Sequence, residues 1–240
     1  MNTNSNVYTV VYTTIVVVVV AAVLAFAAMQ FKPRQIANVK AETLSQMMAA
    51  AQLGQKEELS AMGNDAVLAK YAENIDKAFT VDLSGKKVRD LSTDVNDIEV
   101  IDNLKPQDKN IKAASANAEL PVYVFKSGVT VIPIYGAGLW GPVWGYAAFN
   151  ADGCTIAGAY FDHASETPGL GAKCAEADSD FRTQFQNFNG HLAVKKDGGD
   201  IDAITASTIT SRAFTKAVEQ AVKLVKSIPT TNSEEETSNE

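Results

Sequence analysis

Val143-Trp144-Gly145-Tyr146-Ala147-Ala148-Phe149 and Thr155-Ile156-Ala157-Gly158-Ala159-Tyr160-Phe161 are two runs of strand formers separated by Asn150-Ala151-Asp152-Gly153. A turn built on Asp-Gly between two apolar runs is a hairpin signal. Upstream, Val122 to Phe125 and Val129 to Tyr135 are runs of the same kind. Ser127-Gly128 parts them, and Gly136 to Pro142 separates the second from Val143. Four such segments in succession predict an antiparallel sheet.

Beyond the hairpin, residues 162–180 read as loop, 181–188 as a short amphipathic helix and His191 to Val194 as another strand. Phe214, Val218, Ala221 and Val225 recur at spacings of four and three. That period places a helix over Ser211 to Ile228, with Thr210 or Ser211 able to cap its start. Before the sheet, Phe79 to Leu83 alternates and is closed by Ser84-Gly85, which reads as a strand and turn. Residues 35–78 read as helical, with breaks at Gly54 and Gly63. Residues 86–118 are polar and charged, with Pro106 among them, and read as a connecting segment. The fold class expected is α+β, an antiparallel sheet with flanking helices.

The amino terminus differs in kind. From Asn2 to Phe31 no side chain is charged, and Tyr8 to Met29 is almost wholly apolar. As a helix these 22 residues rise about 33 Å, against a hydrocarbon core of about 30 Å. A cleaved signal peptide would carry positive charge ahead of a shorter apolar core. The expected organisation is therefore a short segment at 1–7, a transmembrane helix at 8–29, a helical linker and peripheral region at 30–118, a ligand-binding domain at 119–228, and a disordered acidic tail at 229–240. The basic residues Lys32, Arg34 and Lys40 all follow the helix, which by the positive-inside rule holds the carboxy-terminal side in the cytoplasm.

Composition narrows the function. Of 240 residues, 21 are Lys or Arg and 28 Asp or Glu, for a net charge of −7, and no basic cluster exists to neutralise phosphates of a nucleic acid. Cys154 and Cys174 lie 20 apart without metal-ligand spacing. His163 and His191 accompany no nucleophile-elbow serine, so neither a metal site nor a catalytic residue is expected. The two thiols read as semi-buried, or as a disulfide if the domain faces an oxidising compartment.

Two segments carry more specific chemistry. Ser165-Glu166-Thr167-Pro168-Gly169-Leu170-Gly171 combines a carboxylate, hydroxyls and two glycines that let the backbone approach a ligand; the bland alternative is a surface turn. Asp202-Ala203-Ile204-Thr205-Ala206-Ser207-Thr208-Ile209-Thr210-Ser211 brings five hydroxyls to a helix amino terminus, where unpaired N–H groups and the dipole favour a phosphate. Simple capping needs only one.

With the apolar amino-terminal helix and Gly138-Leu139-Trp140-Gly141, these segments resemble the C component of the sodium-translocating NADH:quinone oxidoreductase, a family of covalent FMN-binding domains. The resemblance implies an FMN-binding domain at 119–228. It also implies FMN held covalently by a phosphoester to Thr208, the residue matching the last threonine of the family's Ser/Thr-Gly-Ala-Thr motif. This chain departs from that pattern at Ala206 and Ser207. Ser207, Thr205 and Thr210 are the neighbouring hydroxyls, with Thr210 helping to anchor the phosphate. Glu166, Thr167, Gly169, Leu170 and Gly171 would line the ring or ribityl chain, Leu139 and Trp140 would give apolar contact, and Lys173 would balance charge.

On this resemblance the chain is an electron carrier that does not itself bind NADH, within a six-subunit ion-translocating complex in the bacterial inner membrane. A flavin transferase would mature it, and the flavin domain would lie on the periplasmic side, against the charge count. The alternative is the corresponding component of a ferredoxin–NAD oxidoreductase complex.

Overall fold

A computed structural model of the chain describes residues 5–113 and 118–228. The acidic tail expected at 229–240 lies outside them. The chain divides into two compact units, Met1–Lys40 and Ala41–Glu240.

The first unit is helical. Helix α1, Asn6–Ala50, starts here and contains the apolar stretch read from the sequence. It is the one helix among the described residues long and apolar enough to cross a membrane, and none of that stretch is buried. Threonine hydroxyls in that stretch are satisfied internally: Thr13 Oγ1 donates to the Thr9 carbonyl and Thr14 Oγ1 to the Val10 carbonyl, both at 2.8 Å. A helix surrounded by hydrocarbon must pair its polar groups with itself.

The second unit is built on a six-stranded sheet in the order β2-β1-β3-β4-β5-β6. The strands are β1 Ile75–Val81, β2 Lys87–Leu91, β3 Leu120–Phe125, β4 Thr130–Ala137, β5 Pro142–Phe149 and β6 Ile156–His163. Every neighbouring pair is antiparallel. Alternate residues feed two cores. One takes Val122, Ile132, Ile134, Val143, Phe149 and Phe161; the other takes Tyr123, Phe125, Val131, Tyr146 and Tyr160. Burial on both faces explains why β3 to β6 read as near-continuous apolar runs rather than apolar and polar in turn.

The long helix α6, Thr208–Ser227, covers the first face with Phe214, Ala217, Val218, Ala221 and Val225. Phe161 packs against Phe214 with ring centroids 4.4 Å apart. At Gly136 an added Cβ would meet the Ala213 carbonyl at 3.3 Å, so the glycine allows α6 to lie close on the end of β4. The second face is covered by the last turns of α1 through Leu44, Met47 and Met48, by Leu59 of α2 (Lys56–Ala61), and by Val67 and Tyr71 of α3 (Asn64–Asn74). Gly54 and Gly63 fall between these helices, as expected.

Three differences from the sequence reading have physical causes. Residues 41–104 do more than link and flank, because they supply β1, β2 and the second core. Strand β2 is hidden in the sequence because Lys87, Arg89 and Asp90 break its apolar pattern. It is an edge strand, where charge is tolerated, and Arg89 pairs with Glu99 and Glu119. Residues 105–113 form helix α4, Lys105–Ala113, with Pro106 in its first turn.

Residues 191–194 form no strand; Val194 makes only an isolated bridge to Ile201. Of 181–188, only 181–183 is helical, as the end of α5, Asp180–Thr183. The other sheet edge, β6, is shielded: the Gln52 amide donates to the Ala157 carbonyl and Arg182 Nε to the Ala159 carbonyl, the latter at 3.0 Å.

Candidate functional site

Three segments converge where β4 turns into β5. The first is the turn Gly138-Leu139-Trp140-Gly141, closed by the Gly138 N–H donating to the Gly141 carbonyl at 2.8 Å. It projects Leu139 and Trp140 into solvent, at 49% and 65% exposure. A tryptophan that exposed is not a core residue, and burying it against a planar ligand would remove much apolar surface from water.

The second segment follows β6. The Glu166 N–H donates to Nδ1 of His163 at 3.2 Å, bending the chain inward. Glu166 is thereby buried, at 5% exposure, while Thr167, Gly169 and Leu170 stay at the surface. The Thr167 carbonyl accepts the N–H groups of Leu170 and Ala172 at 3.1 and 3.2 Å, and Gly169 takes φ 74. These bonds fix a compact loop leading into the 3-10 turn Gly171–Ala175.

The third segment is the start of α6. The helix begins at Thr208, three residues before the start read from sequence, and its cap position is Ser207, which makes no side-chain capping bond. Thr210 and Ser211, expected as caps, bond elsewhere, Thr210 to the distant Glu166 and Ser211 to the loop just ahead of the helix. Ser211 Oγ accepts the Ile204 N–H and donates to the Ser207 carbonyl, both at 3.0 Å. Ala206 sits at φ 60, a left-handed conformation that glycine adopts without strain.

Glu166 joins the three segments. Its Oε1 accepts the Trp140 N–H at 3.1 Å, and its Oε2 accepts the Thr210 hydroxyl at 2.8 Å. Two glycines make room for the carboxylate: a Cβ at Gly138 would lie 2.5 Å from Oε1, and one at Gly171 would overlap Oε2. Neither Lys nor Arg pairs with Glu166 among the described residues. Cys174, wholly buried, has its thiol pushed up to about 12, chiefly by burial and then by the Glu166 and Asp162 charges. It behaves as a small apolar residue. Cys154 is exposed in the β5–β6 turn, and both thiols are free rather than bridged.

The hydroxyls at the helix start divide sharply. Thr210 is fully buried and committed to Glu166. Ser207 is buried, Thr205 exposed, and Thr208 half-buried, with no hydrogen bond engaging its hydroxyl among the described residues. The first helical N–H with a backbone partner is that of Ser211, bonded to the Ser207 carbonyl at 3.0 Å. The N–H groups of Thr208, Ile209 and Thr210 therefore have no backbone partner among the described residues, and those of half-buried Thr208 and exposed Ile209 lie on residues that reach the surface. Exposed Ile209 joins Leu139, Trp140 and Leu170 as apolar surface on these segments. Lys173 is exposed and forms no ion pair among the described residues. Glu166 thus bonds both Trp140 and Thr210, while among the described residues no side-chain hydrogen bond or ion pair ties Lys173 or Thr205 to them. Among the described residues no group of three His, Cys, Asp or Glu could hold a metal.

An open hydroxyl at a helix amino terminus, with exposed aromatic and aliphatic surface on the adjoining segments, suits a ligand that is anionic at one end and planar and apolar at the other. FMN has that chemistry. The family model for the FMN-binding domain matches residues 138–223, from the Gly138 turn through most of α6.

Among curated relatives, the G component of the ion-translocating oxidoreductase complex of Salmonella typhi is 44% identical over 89 residues, covering 35% of this chain and 42% of that protein. The C component of the Na(+)-translocating NADH-quinone reductase of Chlamydia caviae is 30% identical over 118 residues, 38% of this chain and 37% of that protein. The chain thus matches less than half the length of either. Among solved structures, the C component of the Na(+)-translocating NADH-quinone reductase from Parabacteroides distasonis aligns over 81% of this chain and 95% of its own, at 28% identity and a TM-score of 0.56. The crystal structure of Shewanella oneidensis NqrC covers 76% and 92%, at 23% identity and a TM-score of 0.52, a likeness of fold. The resemblance to the C component read from the sequence is borne out, and the G-component relatives stand beside it.

Proposed function

We propose that this chain is a membrane-anchored electron carrier of a bacterial ion-translocating oxidoreductase, with FMN attached through a phosphoester to Thr208. The observation that carries this reading is the state of the Thr208 hydroxyl. It stands at the first position of α6, half-buried and unengaged, whereas the Thr210 and Ser211 hydroxyls are consumed by internal bonds. The idle N–H groups of the first turn favour a phosphate on that oxygen through hydrogen bonding and the helix dipole.

Attachment in water calls for an activated flavin nucleotide, such as a pyrophosphate-linked flavin dinucleotide, and a transferase. Thr208 Oγ1 bonds to phosphorus, the bond from phosphorus to the departing nucleotide phosphate breaks, and the hydroxyl proton is released. No electron moves in that step. Once bound, the flavin supplies reversible electron transfer, and the protein supplies position and electrostatics. Leu139, Trp140 and Leu170 would give apolar cover to the ring and exclude water from it. Thr167, Gly169 and Gly171 shape the loop beside it.

The finer reading is the sodium-pumping NADH:quinone oxidoreductase, supported by the fold-level match to its C component over most of the chain. The G-component relatives, more identical over a shorter stretch, favour the ferredoxin–NAD type of complex. In either assembly, neighbouring membrane subunits bind NADH or quinone and exchange electrons with this one. Helix α1 anchors the domain in the inner membrane, with the flavin on the periplasmic side.

Coexpression with a flavin transferase followed by a denaturing gel under ultraviolet light tests the attachment: a yellow-green fluorescent band is expected, and it vanishes in Thr208→Val. Colour lost on denaturation would mean an exchangeable cofactor. Sodium-dependent quinone reduction, measured with partner subunits of each kind reconstituted in membranes, separates the two complexes.

A further inference from the structure

We infer that Glu166 is a positioning residue that turns Thr208 outward to receive the flavin nucleotide, rather than a ligand of the flavin ring. The inference rests on the attachment proposed above and concerns how the chain prepares for it. Both carboxylate oxygens are already occupied, Oε1 by the Trp140 N–H and Oε2 by the Thr210 hydroxyl, and the group is shut in by Gly138 and Gly171. A carboxylate so enclosed, at 5% exposure, offers nothing to a ligand arriving from solvent.

Its position nevertheless governs the acceptor. Successive residues of an α-helix are turned by about 100°, so residues two apart face nearly opposite ways. Holding the Thr210 hydroxyl inward at 2.8 Å therefore sends the Thr208 side chain toward solvent. The same carboxylate fixes the backbone of Trp140, so the acceptor oxygen and the aromatic surface are set by one group. A buried charge without a countercharge is a poor way to gain stability, and an apolar side chain of similar size often serves better. What the carboxylate gives is a fixed rotation of the first helical turn. Thr208 then meets the activated phosphorus without having to be ordered first, which is the usual gain from preorganisation.

The test uses the full-length chain, a flavin transferase and flavin adenine dinucleotide, with attachment rate and attachment position followed by peptide mass spectrometry. Thr210→Val removes the donor at nearly constant volume, and Glu166→Gln deprives one of the two donors of its acceptor. Each is expected to slow labelling about ten- to a hundredfold, the effect of losing a hydrogen bond to a charged group. Each is also expected to spread the label from Thr208 to Ser207 or Thr205, a loss of fidelity that mere destabilisation does not produce. Thr210→Ser keeps the hydroxyl, is labelled at close to the wild-type rate on Thr208, and carries the test if the other variants lose the fold. Labelling of Thr210→Val on Thr208 alone and at the wild-type rate, or slow labelling of Thr210→Ser, overturns the positioning role while leaving the attachment site standing. A wild-type chain that takes no flavin overturns both.

Discussion

Ser211 reaches back one helical turn to Ser207, donating its hydroxyl to the Ser207 carbonyl at 3.0 Å while accepting the Ile204 N–H at the same distance. This pair of bonds closes the loop that delivers Thr208 to the helix start. Both lie in buried surroundings, so losing them leaves the Ile204 N–H without a partner, while the Ser207 carbonyl keeps only the backbone N–H of residue 211. Ser211→Ala is expected to lower stability by about 2 kcal/mol. A urea unfolding curve measures it, and a loss below about 0.5 kcal/mol would show the hydroxyl to be dispensable.

Ala206 holds φ 60 inside that loop. A left-handed conformation costs an L-residue about 1–2 kcal/mol, and glycine loses about 0.4–1 kcal/mol of that advantage through the entropy of the unfolded chain. Ala206→Gly should therefore raise stability by about 0.5–1 kcal/mol, read as a higher urea midpoint at unchanged slope. A lower midpoint would contradict the assigned backbone geometry.

Gly171 has no unusual φ, so any penalty for a side chain there comes from space, and the obstacle is the Glu166 carboxylate. Gly171→Ala should cost about 2–3 kcal/mol. In a Glu166→Ala background the same change should cost less than half as much, because the overlapping oxygens are gone. Equal costs in the two backgrounds of this double-mutant cycle would mean the two positions are independent.

Burial moves the Cys174 thiol from its ordinary 9.0 to about 12, so the folded protein keeps this proton at pH values where the unfolded chain releases it. The resulting stability is complete below pH 9 and is lost as the pH rises toward 12, by up to about 1.4 kcal/mol per pH unit. Buried Tyr123, Tyr146 and Tyr160 are shifted in the same direction and add to the alkaline slope. Comparing wild type with Cys174→Ala isolates the thiol: between about pH 8 and 10.5 the wild type should lose about 2 kcal/mol more. Parallel losses would place the effect elsewhere.

How much of the molecule is legible in its sequence depends on how local each signal is. The hairpin of β5 and β6 announces itself through Asp152-Gly153 and its flanking apolar runs, and the amino-terminal helix through its lack of charge. Helix α6 is visible in Phe214, Val218, Ala221 and Val225, but its periodicity sets the start three residues late. Hydroxyl residues read as loop or cap, whereas within the first turn Thr210 spends its hydroxyl on distant Glu166 and Ser211 on the loop just ahead. Strand β2 is masked by edge-strand charges. The end of α1 shows its buried face only once the sheet beneath Leu44, Met47 and Met48 is known. The junction of Glu166 with Thr210 spans 44 residues and has no local trace. Its indirect marks are the glycines at 138 and 171, which read in the sequence as ligand approach or as part of a motif, and which the fold uses to seat a carboxylate.

The central claim is the bond at one oxygen, and mass spectrometry of the chain isolated from its native membrane tests it most directly. The account predicts an intact mass raised by one FMN less one water, with fragmentation placing the addition on Thr208. An unmodified chain, or an addition localised to Thr205, Ser207 or Thr210, would contradict it.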